Sequence, residues 1–475
     1  MADIGLVGLG VMGANLSLNM AEKGYTVAVY NRTTEKTDAF MKSAGPLAAR
    51  LVPCRTLTEL AEAVAPPRPV VIMVKAGDPV DEQAQVLSGH FGRGDILIDC
   101  GNANFRDTRR RVEEYKSRGI DFLGVGVSGG EEGARHGPSI MAGGSEAAWA
   151  RVQKIFDAIS AKFDGEPCCA RVGPEGAGHF VKTIHNGIEY ADMQMIAEIY
   201  GLMRDGMGLS AGRMAKIFRR WNEGPLKSYL IEITAKVLEA ADPLSGRPMV
   251  EVIQDTAGQK GTGRWSVMEA QELGVPATVI EAAILARSLS AQKPARLAAE
   301  AMFGAAPRKL DPPLNQGDTA LSVLENALLA GKIVAYAQGF EVLGKASETW
   351  GWHLPLATVA KIWRAGCIIR SVFLDDIARA VAASGATVNL MTIPPFAGLM
   401  KAANTSLRAI VAEAALKGIP VPALSAALAY FDYLRTGRST ADLTQAQRDF
   451  FGAHGFERTD APGKEAHGPW ALGLG

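Results

Sequence analysis

The chain has 475 residues, 48% of them apolar, with 50 basic and 50 acidic side chains and a formal net charge of zero. That length suits two or three domains with well-filled cores, and the balanced charge offers no broad field to recruit nucleic acid or an anionic membrane. The opening MADIGLVGLG lacks the basic and long apolar regions of a signal peptide, and no run of about 18 or more apolar residues suggests a membrane span, so a cytoplasmic protein is expected.

Short apolar, β-branched runs at 4–8, 26–30, 70–74 and 95–100 have strand character, with helical patterns such as 14–23 between them. Residues 121–127 read as one further strand, the last of the set. Strand–helix alternation predicts an α/β Rossmann domain with a parallel-rich, doubly wound sheet. Beyond about residue 178 strand signals nearly vanish, and stretches such as 179–201, 277–292, 322–347 and 402–416 have helical spacing. The expected division is a dinucleotide-binding domain over 1–176, a large all-α domain over 177–434 and a C-terminal tail over 435–475. The tail mixes Gly, Pro, basic and aromatic residues and looks unable to bury a core of its own. It is therefore either disordered or docked, and Phe450, Phe451, Phe456 and Trp470 favour docking. The five cysteines, Cys54, Cys100, Cys168, Cys169 and Cys367, are odd in number and scattered, which fits buried inert thiols in a reducing compartment.

The first strand runs straight into Gly8-Leu9-Gly10-Val11-Met12-Gly13, a G-x-G-x-x-G that opens a helix. Gly8 allows the tight turn, Gly10 lets backbone approach a pyrophosphate, and Gly13 lets helix and sheet pack closely. The helix N-terminus then receives the phosphates. The second strand ends Tyr30-Asn31-Arg32-Thr33, without the carboxylate that would accept from a ribose 2′-hydroxyl. Arg32 suits a 2′-phosphate instead, with Asn31 and Thr33 adding neutral hydrogen bonds, so NADP is expected over NAD.

Within 179–201, Lys182, His185, Asn186 and Glu189 recur at i, i+3, i+4 and i+7 and share one helix arc, opposite Ile184, Ile188, Ala191 and Met195. An amine, an imidazole, an amide and a carboxylate on one partly buried face make a set for proton transfer. A glycine-rich turn at 126–133, GVSGGEEG, supplies free backbone N–H groups and the Ser128 hydroxyl for a carboxylate or sugar hydroxyls. A second dense loop, DTAGQKGTGRW over 255–265, looks like a phosphate cradle but is not a Walker loop.

Taken together, GLGVMG with NRT, VSGGEEGAR, GHFVKTIHNGIEY, DTAGQKGTGRW and QAQRDFFGAH resemble the decarboxylating 6-phosphogluconate dehydrogenases, in family order and across the whole chain. The resemblance implies oxidation of 6-phosphogluconate to ribulose 5-phosphate and CO₂ with reduction of NADP⁺. It implies Lys182 as general base and then acid, and Glu189 as the acid that protonates C1 of the enediol. Asn102, Ser128, Gly129, Gly130, His185 and Asn186 would hold the sugar acid, and Tyr190, Lys260, Thr262 and Arg287 its phosphate. Cofactor contacts are expected to extend to Val74, Lys75, Ala76 and Asn102. Arg448 and His454 lie in a tail that in this family reaches the partner subunit's site, so a homodimer is implied. No cluster of acidic residues suggests a metal, and an ammonium would take that role. Gly10 stands where the family often has Ala, Cys100 and Ala103 stand where Gly and Ser are usual, and the tail beyond Arg458 follows no family pattern. The alternatives are a non-decarboxylating β-hydroxyacid dehydrogenase, which would need no phosphate site, and an inactive NADP-binding protein, against which the Lys182/Glu189 pair speaks.

Overall fold

The computed structural model describes residues 1–259, 261–384 and 389–472. Its first 173 residues build an eight-stranded sheet. The strands are β1 (Ile4–Val7), β2 (Val27–Tyr30), β3 (Leu51–Cys54), β4 (Pro69–Ile72), β5 (Ile96–Asp99), β6 (Asp121–Ser128), β7 (Ser139–Gly143) and β10 (Cys169–Gly173), with a two-residue hairpin, β8 (Lys162–Phe163) and β9 (Glu166–Pro167), outside it. Their order is β10-β7-β6-β5-β4-β1-β2-β3, and only the β6–β7 pairing among them is antiparallel. Helices cross between the parallel strands: α1 (Val11–Glu22), α2 (Thr34–Ser43), α3 (Leu57–Ala63), α4 (Asp78–Ser88) and α5 (Phe105–Lys116), followed by α6 (Gly130–His136) and α7 (Glu146–Ile159).

The strands are apolar on both sides because both faces are covered. Along β5, Ile96 and Ile98 point into a core with Leu16, Met20, Val152 and Phe156, while Leu97 points the other way, among Leu60, Val80, Leu87 and Tyr115. Winding reverses between β1 and β4, so a crevice opens beyond their carboxyl ends, where such sheets bind ligands. The loops after β1, β4, β5 and β6 all gather on that edge.

Three strands of this sheet lie outside the runs expected from the sequence. β3 carries Pro53 at the sheet's edge, where a missing N–H is tolerated. β7 and β10 follow the strand that was expected to be last and extend the sheet beyond it. Each is four or five residues long and has no periodic partner nearby in sequence, so only tertiary pairing reveals it.

Helix α8 (Ala177–Gly201) begins two residues earlier than its spacing suggested and is buried along most of its length. A Cβ on Gly178 would lie 2.3 Å from the Gly124 carbonyl oxygen, and one on Gly126 would lie 2.4 Å from Lys182 Cβ, so only glycine lets this helix lie on the sheet. On its other side α8 meets the 34-residue helix Gly317–Trp350. There, a Cβ on Gly339 would come within 2.5 Å of Ile188. Lys332 of the long helix donates to both Asp192 oxygens of α8 at 2.8 and 2.7 Å, and both residues are buried. No membrane span is expected from the sequence, yet Gly317–Trp350 is long and apolar enough to cross a bilayer by composition; 78% of its most apolar window is buried within the protein, as in a core helix.

The chain forms two compact units, Met1–Ala427 and Leu428–Gly475. The sheet and the helices after residue 177 share the first, because α8 packs directly on β6 and β7. The second unit begins inside helix Pro422–Leu434, and beyond residue 434 no described hydrophobic side chain is buried, so the tail has no apolar core of its own, yet it is folded. Helix Ala441–Gly452 and the hairpin Phe456–Arg458/Ala461–Ala466 are organised around buried Asp449. Its carboxylate accepts from the N–H groups of Gly468 and Gly455, from Trp470 Nε1 and from His467 Nδ1, at 2.6–2.9 Å. These bonds, that from Gly468 foremost, hold the Asp449 carboxyl well below the usual range. A polar centre therefore does what an apolar core could not, and Phe450 and Phe451 stay 71% and 73% exposed.

Candidate active site

The loop after β1 is shaped by three glycines with different duties. Gly8 has φ +102°, and a Cβ there would lie 2.3 Å from the Met73 carbonyl oxygen. A Cβ on Gly13 would lie 1.9 Å from the Gly8 carbonyl oxygen, so helix and turn could not close. Around Gly10 nothing lies within 4 Å of a Cβ position. Its space faces outward, as a backbone approached by a diphosphate requires. The N-terminus of the 12-residue α1 has no side-chain cap, which leaves its first N–H groups for an anion. The loop thus fits a dinucleotide.

Asn31 braces the loop from the end of β2. Its Oδ1 accepts from Leu9 N–H at 3.0 Å, and its Nδ2 donates to the Thr33 carbonyl at 3.1 Å. Asn31 holds the glycine loop against the end of β2. Arg32 and Thr33 are exposed beside it, and no carboxylate occupies the end of the strand.

At the far side of the crevice the polar arc of α8 assembles as its spacing suggested. Lys182, His185 and Asn186 are buried. His185 Nδ1 lies 3.5 Å from Lys182 Nζ, 3.1 Å from Asn186 Oδ1 and 3.8 Å from Glu189 Oε2. Its Nε2 lies 3.3 Å from Ser128 Oγ, which β6 delivers. Asn186 Nδ2 donates to Thr262 Oγ1 at 2.9 Å, joining α8 to the start of helix Thr262–Glu272. Burial lowers the Lys182 ammonium's affinity for its proton, against the pull of Glu189. Burial also raises the Glu189 carboxyl, against Lys182 and Arg287. His185 is pushed well below its ordinary value by burial and then by Lys182, so the imidazole is neutral. An amine that tends to be neutral and a carboxyl that tends to keep its proton form an acid–base pair.

One turn onward, Arg287 stacks its guanidinium 3.4 Å from the centre of the Tyr190 ring and donates to the Gly258 carbonyl at 3.2 Å. A Cβ on Gly263 would strike Tyr190 at 2.6 Å, so glycine there lets loop and ring meet. Thr262, Tyr190 and Arg287 thus converge; Lys260 lies outside the described residues. Gly129 and Gly130 take φ +117° and +63°, and Asn102 is exposed at the end of β5, on the same edge as the Val74-Lys75-Ala76 segment. Arg448 and His454 are exposed in the second unit.

One wall of this site is not legible from the spacing of residues in the sequence. Trp363 sets its ring edge-on to His185 at 5.4 Å. Cys367 is buried where the Lys182 charge acts on it, but burial dominates and pushes its thiol up to about 12. It stays protonated, as the reading of inert thiols expected. Trp363 stands 178 residues from His185 in sequence, and no spacing links them. Among the described residues no group of three or more His, Cys, Asp or Glu could hold a metal ion.

A doubly wound sheet with a glycine-cleared switch-point loop, facing a helix that carries a buried amine and carboxyl, defines a dinucleotide-dependent oxidoreductase. The NAD-binding domain of 6-phosphogluconate dehydrogenase matches residues 3–173, and the C-terminal domain of the same enzyme matches residues 178–470. A decarboxylating 6-phosphogluconate dehydrogenase of Haemophilus influenzae is 47% identical over 470 residues, covering 98% of this chain and 96% of that one. An NAD(+)-dependent decarboxylating 6-phosphogluconate dehydrogenase of Bacillus subtilis is 46% identical, covering 97% of this chain and 98% of that one. The solved Plasmodium falciparum 6-phosphogluconate dehydrogenase, described in apo form, with NADP+ and with 6-phosphogluconate, superposes with a TM-score of 0.94 at 43% identity, covering 98% of this chain and 100% of that one. The chain belongs to the 6-phosphogluconate dehydrogenase family.

Proposed function

We propose that the protein converts 6-phospho-D-gluconate to D-ribulose 5-phosphate and CO₂, with NADP⁺ taking the hydride, as a cytoplasmic homodimer. The observation that carries the reading is the Lys182/Glu189 pair on one buried arc of α8, bridged by His185. The bound nicotinamide accepts the hydride that leaves C3. Neutral Lys182 takes the C3 hydroxyl proton, giving a 3-keto acid. The Lys182 ammonium then returns that proton to the ketone oxygen as the C1–C2 bond breaks, CO₂ departs and the electron pair becomes an enediol. This is stabilisation of developing negative charge by a fixed cation. Glu189 protonates the terminal carbon of the enediol while Lys182 takes the enol proton, and a proton passing from ammonium to carboxylate restores the start. His185, Asn186 and Ser128 orient the sugar acid, and Asn102 with the Gly129–Gly130 backbone binds its carboxylate end. Tyr190, Lys260, Thr262 and Arg287 receive the phosphate, joined by Arg448 and His454 of the partner subunit.

NADP is preferred because Arg32 is exposed beside the glycine loop with no carboxylate to repel a 2′-phosphate. Two of the named relatives differ on this point, one described with NADP+ and one as NAD(+)-dependent, so the residue at the end of β2 is the natural place to test it. Arg32→Glu loses a charge-assisted contact of about 1.5–3 kcal/mol and adds repulsion, so the ratio of kcat/KM for NADP over NAD should fall roughly 10- to 150-fold or more. An unchanged ratio would refute the assignment.

A further inference from the structure

Two neighbouring loops lie on one side of the switch point. One follows β4 and carries Val74, Lys75 and Ala76; the other follows β5 and carries Asn102. A fully buried arginine from α5, Arg111, joins them. Its Nη2 donates to the Gly77 carbonyl at 3.1 Å, at the end of the first loop. Its Nη1 reaches Asp99 Oδ2 at 3.4 Å, and Asp99 Oδ1 in turn accepts from Gly101 N–H at 2.9 Å, next to Asn102. Its Nε and Nη2 grip both oxygens of Asp81 on α4 at 2.8 Å each. The loops touch directly as well: a Cβ on Gly101 would lie 3.1 Å from the Val74 carbonyl oxygen.

The same turn is tied to the catalytic helix. Thr108, one turn before Arg111 on α5, lies 2.7 Å through its Oγ1 from Nδ1 of buried His179, which sits one turn before Lys182 on α8. A Cβ on Gly124 would strike both Thr108 and His179, at 2.5 and 2.9 Å, so glycine allows this contact.

A buried ion pair is weak support for stability, since apolar residues of the same volume often do as well. Its planar fork, however, fixes several partners at set distances, which a lysine cannot do. We propose that Arg111 is a positioning residue for hydride transfer: one guanidinium sets the spacing of the two loops, and hence of the nicotinamide against C3 of the sugar acid. This rests on the reading that the loops at 74–76 and 102 contact cofactor and substrate. Misplacement by about an ångström can cost on the order of 100-fold in rate.

The test compares four variants of the full-length enzyme. Arg111→Lys keeps the charge and loses the fork. Asp81→Asn, at a half-buried position, weakens the grip without burying an unpaired charge and serves if Arg111→Lys does not fold. Arg118→Ala removes donation to the Ser88 hydroxyl and carbonyl, at 2.7 and 2.8 Å, a comparable tie remote from both loops. Asn102→Ala probes the turn itself. The readouts are melting temperature, kcat, KM for each substrate and the kinetic isotope effect with 6-phosphogluconate deuterated at C3. Arg111→Lys should lower kcat roughly 10- to 100-fold and raise the isotope effect as hydride transfer becomes limiting; Asp81→Asn should shift both in the same direction, and Arg118→Ala should lower only the melting temperature. If the Arg111 and Asp81 variants merely melt earlier, with kcat, KM and isotope effect within twofold of wild type, while Asn102→Ala is impaired, Arg111 has no positioning role. If Asn102→Ala is itself unimpaired, the reading of the turn fails and the inference with it.

Discussion

Lys182→Met should abolish turnover, with a loss of at least the 10²–10⁴-fold that a general base typically contributes. It should stop hydride transfer and decarboxylation together, because the amine acts before both. Methionine fills the buried stem, so the fold should survive. Since burial lowers the Lys182 pKa, the wild-type rate should fall on the acid side, as pH drops through that lowered value and the amine becomes protonated. Glu189→Gln should behave differently. Its role follows CO₂ loss, so single-turnover reduction of nicotinamide should persist while steady-state turnover and solvent deuterium incorporation at C1 collapse. Raised by burial, the Glu189 carboxyl should also set the alkaline limit, which the Gln variant should lack. Lys182→Met retaining a tenth of wild-type turnover would show the base to be elsewhere.

Mixing two dead variants should restore activity. If each site combines Lys182 of one subunit with Arg448 of the other, a heterodimer of Lys182→Met and Arg448→Ala subunits holds one site with both residues intact. Random exchange would then recover about a quarter of wild-type activity. Phe450 and Phe451 motivate the test. Both are largely exposed in the single chain, and covering each would contribute up to about 1.5–3 kcal/mol. Among the described residues Arg448, on the same helix, donates through its Nη1 to Gln445 alone, at 2.8 Å, which leaves most of its fork for a phosphate. Heterodimers shown to form yet remaining inactive would place the tail's function within its own subunit.

The parts of the site that were legible in the sequence are those written locally. The glycine loop is contiguous, and the arc Lys182–His185–Asn186–Glu189 follows from helical spacing alone. What escaped depends on contacts between distant segments. Trp363 and Cys367 close the wall near His185 from the other end of the helical region. The bond from Leu9 N–H to Asn31 likewise joins residues that no spacing links. Asp449 looks like any surface carboxylate in a helix until the hairpin and Trp470 return to cover it. The edge strand Leu51–Cys54 contains a proline, which argues against a strand in any reading that does not know the edge.

The central claim is oxidation coupled to decarboxylation, and stoichiometry tests it most directly. Purified protein should be given 6-phosphogluconate with NADP⁺, and separately with NAD⁺, while nicotinamide absorbance and released CO₂ are followed together. One reduced nicotinamide should appear for each CO₂ throughout, with NADP⁺ the better substrate. Reduction without CO₂, or cofactor binding without any reduction, would contradict it.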